Sequence, residues 1–195
     1  NQKATLSIEL IAMAVEAYLS QKANFFSDMF VEKGLEILTY ALDGSPSLDI
    51  TTPEEILLAQ AGTMISLATT SSSLGLASLL SLTINSRYKM LKSLVSSILL
   101  PYMIEDISKY KSAKIVKLAK IMKCIPKNEE ETLGDAEICK YFVDSLRERI
   151  AKANLPTRLK DLNLTIEQLS LAVEDVKQID FVNTLPRSMS TDDIF

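Results

Sequence analysis

Three charged side chains lie in otherwise apolar stretches of the sequence. Glu9 and Glu16 belong to the run Leu-Ser-Ile-Glu-Leu-Ile-Ala-Met-Ala-Val-Glu of residues 6–16, and Lys92 precedes the largely apolar run 94–101. An isolated buried charge is costly, so such a side chain either lies at an exposed edge or is buried with an oppositely charged group or a metal. The residues alone leave both alternatives open.

The composition excludes several catalytic arrangements. The 195 residues contain no histidine, which rules out Ser-His-Asp triads, Cys-His dyads, imidazole metal ligands and histidine pH switches. The nearest candidate for a phosphate-binding loop, Ser72–Gly75, has one glycine and no Lys-Ser/Thr after it. Cys124 and Cys139 lack CxxC spacing. We expect free thiols, with a disulfide as the alternative, and this cysteine usage indicates a cytoplasmic protein.

The charge balance argues against a nucleic-acid or membrane partner. Lys and Arg number 21 and Asp and Glu 25, for a net charge of −4, whereas both kinds of partner favour a basic excess. Lysines at about three-residue spacing from Lys109 to Lys123 predict a solvated helix face. Residues 56–86 carry no charge, but 11 of these 31 residues are Ser or Thr. We therefore expect two buried helices with a break rather than a membrane span.

Apolar residues recur at helical spacing along almost the whole chain, and few Gly or Pro interrupt them. Asn24, Thr52 and Thr165 are of the types that cap helix N-termini, and Thr52 is followed by Pro and two Glu. The pattern predicts an all-α fold, with one domain over residues 1–195. The predicted helices cover residues 5–20, 25–42, 53–68, 74–84, 91–108, 112–123, 130–153 and 166–178.

Three groups of short motifs follow one another along the chain. The first comprises residues 14–20 (Ala-Val-Glu-Ala-Tyr-Leu-Ser) and 23–28 (Ala-Asn-Phe-Phe-Ser-Asp). The second comprises 75–77 (Gly-Leu-Ala), 85–88 (Asn-Ser-Arg-Tyr) and 98–102 (Ile-Leu-Leu-Pro-Tyr). The third comprises 155–162 (Leu-Pro-Thr-Arg-Leu-Lys-Asp-Leu) and 185–187 (Leu-Pro-Arg). In order and spacing, these motifs resemble the C-terminal helical domain of the iron-containing (group III) alcohol dehydrogenase family over essentially the whole chain.

The resemblance implies a multi-helix orthogonal bundle of the dehydroquinate synthase-like superfold, and a second half that this chain does not contain. Family members bind a nicotinamide cofactor, NAD(P), in an N-terminal nucleotide-binding domain. Their C-terminal half holds iron or zinc through one Asp and three His, and the metal acts as a Lewis acid on the alcohol or carbonyl oxygen. The expected partner is therefore the missing nucleotide-binding domain, and an isolated half is expected to self-associate through the uncovered face.

By the same resemblance, the four metal-ligand positions fall on Glu9, Met13, Ser78 and Lys92, and a further pocket-lining histidine falls on Leu82. None of these positions keeps the family's residue. A thioether is a soft ligand and a hydroxyl a weak one, and Lys92 places a positive charge where the charge of the metal would lie. We therefore expect this chain to bind no metal. We also expect it to bind no cofactor, because in the family the nicotinamide is bound by the other half.

We hypothesise that Glu9 and Lys92 form an ion pair in place of the metal, with Met13 and Leu82 making the rest of the pocket apolar. If the pair is buried, Lys92→Ala should cost about 3–5 kcal/mol; the alternative is that Lys92 reaches solvent and Glu9 is exposed. The favoured function is a family domain that has lost its metal ligands and its activity. The alternatives are one half of a full-length NAD(P)-dependent alcohol or aldehyde oxidoreductase, and an unrelated interaction module.

Overall fold

A computed structural model describes residues 2–44, 51–128, 132–190 and Asp193. Within these residues the chain forms seven α-helices and two 3₁₀ turns, with no strand, and the all-α prediction is confirmed. The helices are α1 (Gln2–Leu19), α2 (Phe25–Asp43), α3 (Glu54–Ser71), α4 (Leu76–Tyr88), α5 (Lys92–Ile121), α6 (Asp135–Lys152) and α7 (Ile166–Lys177), and the 3₁₀ turns are Leu159–Leu162 and Asp180–Thr184. The start predicted for α6, residue 130, lies outside the described residues.

Two of the three predicted helix caps are confirmed. The Asn24 side chain accepts two backbone N–H bonds in the first turn of α2, each 3.1 Å long. Thr165 accepts one in the first turn of α7, at 3.2 Å. The third prediction, Thr52, is wrong, because Pro53 takes the N-cap position of α3 and makes no side-chain cap. Helix α3 therefore begins one residue too late for the Thr52 hydroxyl to cap it.

The predicted helices 91–108 and 112–123 are joined into the single element α5, which is kinked at Lys111 (φ −130°, ψ 41°). Lys111 Nζ donates to the Leu19 carbonyl at 2.8 Å, and Lys114 Nζ donates to the Tyr18 carbonyl at 2.7 Å. These carbonyls end α1 and lack partners within that helix. The prediction of a solvated face is wrong for these two lysines, because their ammonium groups hold α5 against the end of α1.

The central helix is α1, which packs against α2, α3, α4 and α5. Residues Ile11–Leu19 are buried with the exception of the half-buried Met13, and all of them except Glu16 belong to the largest hydrophobic cluster or pack against it. Two smaller apolar clusters lie around α4 and α7. Helix α1 presents Glu9, Met13 and Glu16 towards α4 and α5.

The uncharged stretch 56–86 folds as α3 and α4, with the expected break between the two helices. α4 is largely buried, whereas α3 buries only Leu57, Ala61, Ile65 and Ala68 and leaves one face exposed, so the prediction of two buried helices is wrong for α3. In the described part of the chain, no single helix is long and apolar enough to cross a membrane; α3 and α4 pass that test only together, across a bend of 99°. Cys124 and Cys139 are free thiols, so the disulfide alternative is not formed.

Candidate functional site

The five positions singled out in the sequence line one pocket. Glu9 and Met13 come from α1, Ser78 and Leu82 from α4, and Lys92 from the first residue of α5. The cavity has a volume of about 70 Å³. Helix α1 and the consecutive helices α4 and α5, which lie far from α1 in sequence, therefore bring all five side chains together, and the remaining lining residues are Leu74, Ser81 and Ser96.

Glu9 and Lys92 form the hypothesised ion pair, with Lys92 Nζ 3.0 Å from Glu9 Oε1. The pair is not buried, because the Lys92 side chain is 41% exposed and that of Glu9 is 23% exposed. The structure thus combines the two alternatives, a formed pair and a lysine that reaches solvent. Solvent screening reduces the expected cost of losing Lys92 from the buried-pair value to about 1 kcal/mol or less.

The apolar and hydroxyl side chains divide the rest of the pocket. Met13 is half-buried, and Leu82 is 39% exposed, which places it at the pocket mouth. Elsewhere in the lining the Ser81 hydroxyl donates to the Ala77 carbonyl at 2.6 Å and lies 2.9 Å from the Ser96 hydroxyl. The pocket is therefore amphipathic, with one ion pair, an apolar edge and a bonded chain of hydroxyl groups.

Glu16 lies one turn after Met13 on α1 and forms the back of the same region. It is only 4% exposed, and its carboxylate accepts the backbone N–H groups of Ala77 at 2.7 Å and Ser78 at 3.2 Å. Burial raises the pKa of the Glu16 carboxyl, while hydrogen bonds from the Ser78 side chain and the α4 backbone act in the opposite direction. Glu16 thus caps the N-terminus of α4 from another helix, in the manner of an anion bound at a helix start.

The expectation that a buried Glu16 would have a cationic or metal partner is therefore wrong. Its partner is a helix N-terminus, and Gly75 provides the space for it. A Cβ at residue 75 would lie 2.7 Å from Glu16 Cγ and 2.8 Å from Glu16 Cδ. The sequence signal was indirect: the residue before α4 is a glycine and has no side chain that could cap the helix.

Few side chains in this region are of the types that bind transition metals. Within the described residues, no group of three or more His, Cys, Asp or Glu side chains is placed to hold a metal ion. The pocket contains one carboxylate, from Glu9, and the other side chains at the singled-out positions are a thioether, a hydroxyl, an ammonium and an isobutyl group.

Comparison with known proteins gives a family for the whole chain. Residues 3–195 match the model of the Fe-containing alcohol dehydrogenase family, C-terminal. A comparison with curated proteins finds no match.

The fold is similar to those of several solved structures. These include a 1,3-propanediol oxidoreductase (TM-score 0.83, 18% identity, 98% of this chain and 49% of that one) and an alcohol dehydrogenase from Oenococcus oeni (TM-score 0.84, 18% identity, 98% and 49%). A third is the sulfoacetaldehyde reductase from Bifidobacterium kashiwanohense in complex with NAD+ (TM-score 0.72, 16% identity, 98% and 48%). The chain spans about half the length of these solved proteins. By its sequence match and its helical fold, the chain belongs to the iron-containing alcohol dehydrogenase family, as the C-terminal domain.

Proposed function

We propose that this chain is the helical half of an alcohol dehydrogenase-type protein in which an ion pair has replaced the metal, and that it does not support the metal-dependent reaction. The observation that carries the proposal is the 3.0 Å contact of Lys92 Nζ with Glu9 Oε1. It lies in a pocket that also contains Met13, Ser78 and Leu82, the other positions at which the resemblance puts family histidines.

The chemistry of the donor set does not fit iron or zinc. These metals are held by imidazole nitrogen, thiolate sulfur and carboxylate oxygen. Of the four positions, only Glu9 supplies such a ligand, whereas Met13 supplies a soft thioether and Ser78 a weakly binding hydroxyl. Lys92 has no lone pair when protonated, and its charge repels a cation next to the one carboxylate. No catalytic step through a metal therefore follows from this pocket.

A second candidate function is favoured by the exposure of Lys92. With 41% of the side chain exposed at the pocket mouth, the ammonium group is accessible to a ligand. A fixed ammonium group can donate to a carbonyl oxygen and stabilise the charge that develops there on reduction. The similar solved proteins include an oxidoreductase for 1,3-propanediol and a sulfoacetaldehyde reductase with NAD+. On this candidate, the whole protein reduces a small aldehyde with a nicotinamide cofactor, and Lys92 orients the oxygen without a metal.

Both candidates require a partner domain. Leu6, Leu82 and Leu91 are exposed apolar side chains on the segments that supply Glu9, Ser78 and Lys92. We infer that this face packs against the nucleotide-binding half, and that the isolated chain self-associates through it. Sedimentation of the isolated chain and its Leu6→Glu/Leu91→Glu variant tests this inference, and equal masses for the two would contradict it.

The experiment that separates the two candidates uses the whole protein that carries this segment. NAD(P)H-dependent reduction of a panel of small aldehydes is measured without metal and with added iron(II) or zinc, for the wild type and for Lys92→Met. No turnover under any condition supports the first candidate. Turnover that is the same with and without metal, and that is lost in Lys92→Met, supports the second. Leu91→Met is the matched control and should keep that turnover. Metal-stimulated turnover of the wild type contradicts both candidates.

A further inference from the structure

The hydroxyl groups on one wall of the Glu9–Lys92 pocket direct their protons away from the cavity. Ser81 donates its proton to the Ala77 carbonyl at 2.6 Å. A hydroxyl has one proton, so in the 2.9 Å contact between Ser81 and Ser96 the donor is Ser96. Both protons are therefore used in a chain that runs from Ser96 through Ser81 to the backbone of α4.

The third hydroxyl of the pocket is oriented in a similar way. Ser78 lies beside the Glu16 carboxylate, which its backbone N–H reaches at 3.2 Å, and a hydroxyl next to a carboxylate donates its proton to it. Ser78, Ser81 and Ser96 thus present oxygen lone pairs, and not protons, to the space between them. Glu9 adds a carboxylate to the same space. In hydrogen-bonding terms the pocket is rich in acceptors, and a group that enters it must bring donors and positive charge.

Lys92 meets this requirement from the edge of the pocket. Its ammonium group has three N–H donors, and its Nζ lies 3.0 Å from Glu9 Oε1. The side chain is 41% exposed, so the ammonium group enters from the solvent side and is not enclosed by the walls. Met13, Leu74 and Leu82 supply apolar surface beside the polar wall, which suits a short alkyl chain.

We propose that this pocket is a binding site for primary ammonium groups, whose carboxylate is paired in this chain with Lys92, and that a small alkylammonium ion binds there when the Lys92 head group is removed. The proposal rests on the proposed function in one respect, that no transition metal occupies the pocket. The free space beside Lys92 is about 70 Å³, and together with the space that loss of the Lys92 head group opens, it admits an ion of the size of methylammonium or ethylammonium. Oxygen acceptors that surround an N–H donor favour such an ion over a quaternary ammonium ion, which has charge but no N–H group.

The test is the melting temperature of Lys92→Met, which keeps an unbranched side chain and removes the charge. Unfolding is followed in methylammonium chloride and in tetramethylammonium chloride at equal concentration, which matches ionic strength. A site filled at about ten times Kd raises the melting temperature by roughly 3–6 °C in methylammonium alone. The wild type, in which Lys92 already pairs with the Glu9 carboxylate, shows no difference between the salts, and neither does Glu9→Gln/Lys92→Met, which lacks the carboxylate.

Two results overturn the proposal: equal melting of Lys92→Met in both ammonium salts, and a stabilisation by MgCl₂ at equal ionic strength that matches methylammonium, since charge alone would then explain the effect. If Lys92→Met does not fold, Lys92→Ala is measured in the same way. The proposed function fails on a different observation, metal-stimulated turnover of the wild-type protein, so the two failures are distinguishable.

Discussion

A methyl group at residue 75 and the side chain of Glu16 compete for the same space. The Cβ of Gly75→Ala would lie 2.7 Å from Glu16 Cγ, well inside van der Waals contact. The carboxylate is held by backbone N–H groups at 2.7 Å and 3.2 Å and has little freedom to move. The backbone of Gly75 (φ −110°, ψ −168°) is allowed for alanine, so the cost is steric alone. We expect Gly75→Ala to destabilise the chain by about 1–3 kcal/mol.

The size of the effect is set by Glu16, and a double-mutant cycle isolates it. Glu16→Ala leaves two amides at the start of α4 without their acceptor, which we expect to cost about 2–4 kcal/mol. In that background the two closest contacts of the Gly75→Ala methyl group, with Cγ and Cδ of Glu16, are gone, and the contact with the Cβ of residue 16 at 2.9 Å remains. The same substitution should therefore cost less, about 0–1 kcal/mol.

The assay is urea denaturation followed by circular dichroism for the wild type, both single variants and the double variant. The expected coupling free energy between the two positions is about 1–2 kcal/mol, with the double variant more stable than the sum of the single effects implies. Additivity within about 0.5 kcal/mol would refute the contact and, with it, the remote capping of α4 by Glu16.

Three further predictions concern charged groups. Lys92→Met should lower the free energy of unfolding by about 1 kcal/mol or less, because the pair with Glu9 is half-exposed, and a urea-denaturation loss above about 3 kcal/mol would indicate a buried pair instead. The folded-state pKa of Glu16 is raised above 4.5, so the contribution of Glu16 to stability is greatest below that pH and falls as the pH rises. The free energy of unfolding of the wild type, minus that of Glu16→Gln, should therefore decrease from pH 4.5 upwards, and an increase would contradict the raised pKa. Lys114→Met should lower the free energy of unfolding by about 1–3 kcal/mol, since Lys114 Nζ donates to the Tyr18 carbonyl and lies 4.4 Å from the centroid of the Tyr18 ring. Lys120 is exposed, so Lys120→Met should change that free energy by no more than about 0.5 kcal/mol. Equal losses for the two variants would contradict the role of Lys114 in holding α5 against α1.

Local features of the chain could be predicted from the sequence. Asn24 and Thr165 cap helices by accepting from backbone N–H groups two or three residues later, so each cap can be recognised within a short stretch of sequence. Thr52 failed on an equally local detail, because Pro53 shifted the helix start by one residue. Local hydrogen bonding explains why helix positions are predicted well and exact ends less well.

Contacts between distant segments could not be predicted in the same way. Glu16 accepts from Ala77, 61 residues later, and nothing near Glu16 in sequence indicates a helix N-terminus as its partner. The kink at Lys111 was expected as a break between two helices, but its contact with Leu19 depends on how α1 and α5 pack. The five pocket positions came from a family resemblance, and only the packing shows the exposure of Lys92.

The central claim is that the Glu9–Lys92 ion pair replaces the metal of the family, and the most direct test of it is the metal content of the chain. The protein is purified without chelator, offered iron(II) or zinc, and measured by elemental mass spectrometry together with Glu9→Ala. We predict less than about a tenth of an equivalent of either metal for both proteins, because Lys92 Nζ lies 3.0 Å from the one carboxylate of the pocket. A content near one equivalent in the wild type, lost in Glu9→Ala, would contradict the account and show that these residues form a metal site.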